Sequence, residues 1–194
     1  MGFSPKEATL LNAPTGVVTI AFTALVGVGI RKTHNRWAWI VFCCIPGIIG
    51  SGLMSFLPTS NKAGVLIGIY LINAIIGAFP AISQWFAANC AGHTKRALTS
   101  SLMAGAFSIG SLIGPQTFQE RDAPEYRPAK IAVLATQGAS AVVTVILYLY
   151  FRWQNKRRDS AQRKAYDSPE EQTSGIEDWY DLTDRENPRF RYVY

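Results

Sequence analysis

Charge is almost absent from four long stretches of this chain: residues 37–57, 64–86, 97–118 and 131–151 are apolar runs broken only by small and neutral polar residues. A fifth, shorter apolar run covers residues 14–30. About 20 apolar residues at roughly 1.5 Å per residue cross a hydrocarbon core some 30 Å thick. The pattern therefore predicts an all-α membrane protein with about five transmembrane helices, at residues 14–30, 37–57, 64–86, 98–118 and 131–151. Residues 1–13 are expected as an outer N-terminal segment, and residues 152–194 as a cytoplasmic, largely disordered tail that is polar and acidic from Asp159 onward. The terminal Phe190-Arg191-Tyr192-Val193-Tyr194 reads as a frayed end, with docking on the inner face as the alternative.

Only 16% of residues are charged and 48% are hydrophobic, and the polar tail alone dilutes the mean hydropathy to +0.10. The net charge of +6 would suit a nucleic-acid binder, but the basic residues cluster at span edges. Arg31, Lys32 and Arg36, then Lys95 and Arg96, then Arg152, Lys156, Arg157, Arg158, Arg163 and Lys164 fall on one side, against Lys6, Lys62, Arg121, Arg127 and Lys130 on the other. The positive-inside rule makes the richer side cytoplasmic and calls for a lipid bilayer, not nucleic acid, as the partner. Trp37, Trp39, Trp85 and Trp153 fall at that same interface, where an aromatic belt belongs.

Gly27, Gly29, Gly47, Gly50, Gly52, Gly68, Gly77, Gly105, Gly110 and Gly114 give the spans small faces for close helix packing, and Pro46, Pro80 and Pro115 bend them. Asn73 and Gln84 stand out among the intramembrane polar groups, since an amide is costly to leave unpaired in lipid. Eleven residues apart, they are expected about three turns apart on one face of the third span. With Ser108 they are the candidate substrate path; interhelical hydrogen bonding is the competing reading for each serine. No Asp, Glu or His lies inside a span, which argues against an intramembrane protease and places any proton-coupling residue elsewhere. Cys43, Cys44 and Cys90 have no metal-like spacing and read as small apolar fillers. Neither a metal nor a cofactor is called for.

The stretch WFAANCAGHTKRALTSSLMAGAFSIGSLIGPQTFQERDAPEYRPAKIA resembles the fungal allantoate permease-like branch of the major facilitator superfamily, the anion:cation symporters. The family's N-x-A-G-H-T-K-R stands at Asn89 to Arg96, its G-x-x-I-G-P-Q-x-F at Gly110 to Phe118, and its D-A-P-x-Y-x-P at Asp122 to Pro128. The endings FRWQNKRRD and DLTDRENPRFRYVY fit as well. The resemblance implies a partial C-terminal helix bundle, spans eight to twelve of a twelve-span carrier, with the N-terminal transporter half and the seventh helix outside this chain. It implies symport of a small organic anion or vitamin-like carboxylate with protons by alternating access, in the plasma membrane; a truncated, non-transporting membrane fragment is the alternative. An enzyme is not expected.

The loop around Arg31, Lys32 and Arg36 matches the family's loop between spans eight and nine but lacks the acidic residue of its gating signature. His93, Lys95 and Arg96 are candidates for anchoring to phosphate head groups and helix C-terminal carbonyls, or for gating. On the outer side, Arg127 is a candidate for attracting anions.

Overall fold

The computed structural model describes residues 5–57, 61–123, 125–166, 183–184, 187 and 189–194. Among the described residues every regular element is helical. Helix α1 runs Pro5–Thr33, α2 Arg36–Phe56 and α3 Lys62–Ile72. A 3-10 turn, Asn73–Gly77, joins α3 to α4, Ala78–Asn89. Helix α5 spans His93–Gln116, a short 3-10 turn covers Glu120–Asp122, and α6 runs Arg127–Tyr166. Five segments are long and apolar enough to cross a membrane, α3 and α4 together forming the third. This is a multi-pass, all-α membrane protein.

The element ends depart from the hydropathy pattern for local reasons. Most of the expected outer segment, from Pro5 onward, belongs to α1: a proline costs nothing at a helix start, and Glu7 in the first turn suits the positive end of the helix dipole. Helix α6 does not stop at Phe151. It continues through Tyr166, because residues 152–166 carry no Gly or Pro and are dominated by good helix formers such as Arg, Lys, Gln and Ala. The expected disorder of residues 159–166 is thus corrected to helix; residues 167–182 lie outside the described residues.

Helix α2 is the hub, packing on α3, α6, α4 and the 3-10 turn. At its contact with α3 the backbones nearly touch, and a Cβ at Gly50 would lie 2.5 Å from the Gly68 carbonyl oxygen. The core proper, Val26, Ile40, Cys43, Ala78, Ala81 and Trp85, sits between α1, α2 and α4. Cys43 and Cys44 are free thiols, completely buried, and fill space as expected. Glycine predicts helix contact at Gly29, Gly47, Gly50, Gly68 and Gly77, but Gly27, Gly52, Gly105, Gly110 and Gly114 face open space. Three of those five lie on α5, which buries none of its residues and packs chiefly on α4, through Phe79 and Phe107 with ring centroids 5.2 Å apart.

Candidate functional site

The third span is interrupted near its middle. Pro80 has no N–H to offer the Ile76 carbonyl four residues back, and the Asn73 side-chain Nδ2 donates to the Ile69 carbonyl at 2.8 Å, competing for an acceptor of the helical ladder. The chain answers with the five-residue 3-10 turn. Gly77 at its end is held against α1, where a Cβ would come within 3.0 Å of the Phe22 and Thr23 backbone.

Beside the break, Asn73 lines a cavity of about 190 Å³ between α2, α3 and α6. Ser51 and Met54 of α2, Ile69 and Ile72 of α3, Phe118, and Val133 of α6 make it mostly apolar, and Lys130 at the start of α6 is the charged residue in its lining. Lys130 had registered in the sequence only as a loop charge. The pattern that could have found it is helical: Lys130, Val133 and Gln137 fall on one face of α6, toward α2.

The other expected path residues do not gather here. A 3-10 turn rotates about 20° more per residue than an α-helix, so five such residues shift the following face by roughly 100°. The shared face of Asn73 and Gln84 is thereby lost; Gln84 lies exposed on α4, outside the cavity. Ser108 is exposed on α5, its hydroxyl donating to the Ala104 carbonyl at 3.0 Å, four residues back. Arg127 pairs with Glu125 at 2.6 Å in an exposed ion pair, so its charge is compensated locally.

At the other end of the bundle, the basic end, Arg31 and Lys32 are exposed in the last turn of α1, where cations suit the dipole. Arg36 is half-buried at the start of α2. The connection from α4 to α5 turns at Gly92, whose φ of 90° favours glycine, and His93 begins α5. Arg96 donates to the Ala87 carbonyl, in the last turn of α4, at 3.0 Å. Lys95 instead pairs with Asp184, far along the chain.

That pair belongs to a docked terminus, which corrects the reading of Phe190 to Tyr194 as frayed. Asn89 Nδ2 donates to the Val193 carbonyl at 2.9 Å while its Oδ1 accepts the Val193 N–H at 2.7 Å. Asn155 treats Tyr192 the same way, at 2.7 and 2.9 Å. The Trp85 indole N–H also donates to the Val193 carbonyl, at 2.7 Å. Arg158 gathers the Asp184 and Phe190 carbonyls, at 2.6 and 3.0 Å. Burial pushes the Asp184 carboxyl up, but hydrogen bonds from Lys95 and Tyr192 and the Lys95 charge outweigh it and leave it below the usual carboxylate range. Burial, then the bond to Asp184 and its negative charge, push the Tyr192 phenol up to about 12.

No family model matches the sequence, and no solved structure matches it. Curated proteins do. An allantoate permease of Saccharomyces cerevisiae is 34% identical over 201 residues, covering 99% of this chain and 36% of the relative. The thiamine pathway transporter of the same yeast is also 34% identical, over 100% of this chain and 36% of its own length. An MFS-type transporter of Penicillium expansum is 29% identical over 100% of this chain and 39% of the relative. The chain thus spans a little over a third of the length of these relatives. With similarity running the full length of its five apolar spans, the chain belongs to a fungal permease-like family of the major facilitator superfamily.

Proposed function

We propose that this chain is a five-span portion of a carrier that moves a small organic anion together with protons by alternating access, with its basic end in the cytoplasm and the plasma membrane as its site. The observation that carries the reading is the broken third span: Asn73 stands at the break and, with Lys130, lines an apolar cavity. Discontinuous helices beside a cavity are where transporters expose backbone and side-chain polar groups to substrate. The relatives' names concern allantoate, the thiamine pathway and, for a further one, cysteine, so the anionic character proposed here rests on Lys130 rather than on any one of them. The excess of Lys and Arg at the Arg31, Lys95 and Arg158 end supports the orientation.

A second reading, a membrane subunit that does not transport alone, is favoured by α5, whose apolar side chains Leu98, Leu102, Phe107, Ile109 and Leu112 are all exposed. The missing N-terminal half of a carrier is the partner proposed for that face. Uptake of labelled small carboxylates by carrier-deficient yeast, measured with the chain alone and co-expressed with the N-terminal helices of a relative, decides between them. Saturable, acid-stimulated uptake that falls at least tenfold in Lys130→Gln supports transport through this site. Uptake at background in both settings sinks it.

A further inference from the structure

The transport reading leaves unused the densest group of buried polar side chains in the described structure. Asn89, Asn155, Asp184 and Tyr192 are each less than a tenth exposed, and none lines the cavity. They meet at the basic end, where Lys95 of α5 joins Asn89 of α4, Asn155 of α6 and the described residues near the terminus. We propose that the basic ends of α4, α5 and α6 form a peptide-receiving site, occupied by the chain's own Asp184, Asn187 and residues 189–194, and that this occupancy clasps α5 to α6.

The geometry is that of a site built to hold an extended strand. In such a strand successive residues turn their backbone groups to opposite sides. Tyr192 presents its N–H and carbonyl to Asn155 of α6, and Val193 presents both of its own to Asn89 of α4. Each amide side chain, able to donate and accept at once, replaces a neighbouring strand. Main-chain pairing of this kind holds a peptide without reading its sequence.

Sequence is read by the side chains around it. The Tyr192 ring stacks on Phe151 of α6 with centroids 4.9 Å apart, and the Arg158 guanidinium lies 5.1 Å from the ring centre. The Tyr192 hydroxyl donates to Asp184, and Asp184 pairs with Lys95. Arg191 adds a 2.8 Å pair with Asp159 of α6. The site therefore selects a carboxylate followed eight residues later by an aromatic residue, as Asp184 and Tyr192 supply. An acidic, aromatic peptide of that spacing on another protein would compete for it.

The mechanical consequence comes from α5. It buries none of its residues and packs chiefly on α4, and the Lys95–Asp184 pair, continued through Arg158 and Asn155, links it to α6 at this end. Resting on the transport reading for its meaning, the clasp holds the basic end shut until the segment lets go.

Docking itself is measured without transport, so its failure is distinguishable from failure of the carrier reading. Cys90 reports on the α4–α5 junction, where its Sγ lies 3.4 Å from the Thr99 hydroxyl, while Cys43 and Cys44 are fully buried and check that the fold is intact. Maleimide labelling of the purified chain, resolved by peptide mass spectrometry, is expected to run at least tenfold faster at Cys90 in Asp184→Asn and in a chain ending at residue 182. A synthetic peptide of residues 183–194 added to that shortened chain should restore slow labelling, whereas the same peptide carrying Asp184→Asn should not. In the unaltered chain, a zero-length carbodiimide should join Lys95 to Asp184. An unaltered chain without that crosslink, or Cys90 labelling that ignores both the tail and the peptide, overturns the proposal; labelling of Cys43 and Cys44 in a variant shifts the decision to the crosslink.

Discussion

Gly50 and Gly52 lie two residues apart on α2 and should respond oppositely to the same added methyl group. A Cβ at Gly50 would stand 2.5 Å from the Gly68 carbonyl oxygen, 2.9 Å from Leu71 Cβ and 3.0 Å from the Ile72 nitrogen. Two of these three atoms are backbone, so no rotamer change relieves the clash; α3 must retreat by about an ångström to reach ordinary contact distance. A gap of that size forfeits a quarter to a half of each affected dispersion contact, and in lipid such contacts are what hold helices together. Overpacking costs about 1–3 kcal/mol, and a backbone-to-backbone clash belongs at the upper end. At Gly52 there is nothing within 4 Å. There alanine gains up to about 1 kcal/mol from helix propensity. Gly50→Ala carries the same propensity gain, which cancels in the comparison, so it should be less stable than Gly52→Ala by roughly 2–3 kcal/mol, on the order of 30- to 150-fold in the folded-to-unfolded ratio. Unfolding in an SDS titration, followed by exposure of the buried Cys43 and Cys44 thiols to a fluorogenic maleimide, measures the difference. Variants that agree within about 0.5 kcal/mol would show that α2 and α3 do not meet at Gly50, and the hub role of α2 would go with it.

Two further outcomes follow from the polar groups. Asp184 has a docked carboxyl below its usual range, so its contribution to tail docking is present above the free value of about 3.9 and disappears as pH falls through the lower docked value; Tyr192, raised to about 12, contributes fully below about 10 and loses that contribution as pH rises through 12. Amide protection of Tyr192 and Val193, corrected for intrinsic exchange, should hold flat between those limits and drop on the acid side. In the span, Gln137 is 9% exposed and its Oε1 has no hydrogen-bond partner, packed 2.9 Å from where a Gly47 Cβ would stand. Removing that orphan with Gln137→Met should stabilise the chain by about 1 kcal/mol in the SDS titration, and a loss of stability would reveal a partner for the amide.

The five spans were legible because lipid leaves one signal that outranks all others, the exclusion of charge. What hydropathy cannot register is how a helix ends, and the extra turns at Pro5 and beyond Phe151 were hidden for that reason. Nor can a period of 3.6 reveal its own interruption: Asn73 stands out in the sequence as an amide in apolar surroundings, but its shared face with Gln84 depends on a regular turn that Pro80 breaks. Lys130 was hidden by being counted as a charge outside the span when helix α6 had already begun. The docked terminus was least visible, since Asn89 and Val193 are 104 residues apart and pair through backbone groups that every sequence has. Its one trace was compositional, aromatic and β-branched residues closing an otherwise acidic and polar stretch.

The length of α6 has a leverage consequence. Its 40 residues make a rod of about 60 Å, twice the hydrocarbon thickness of a bilayer. A tilt of about 10° about its midpoint, near residue 146, swings Asn155 and Arg158, roughly 13 and 17 Å along the rod, through some 2 and 3 Å. No hydrogen bond stretches that far, so Arg158 and Asn155 either carry the terminus with them away from Asn89 and Lys95 or leave it behind. A small angular change in the membrane is thus converted into an all-or-none event outside it.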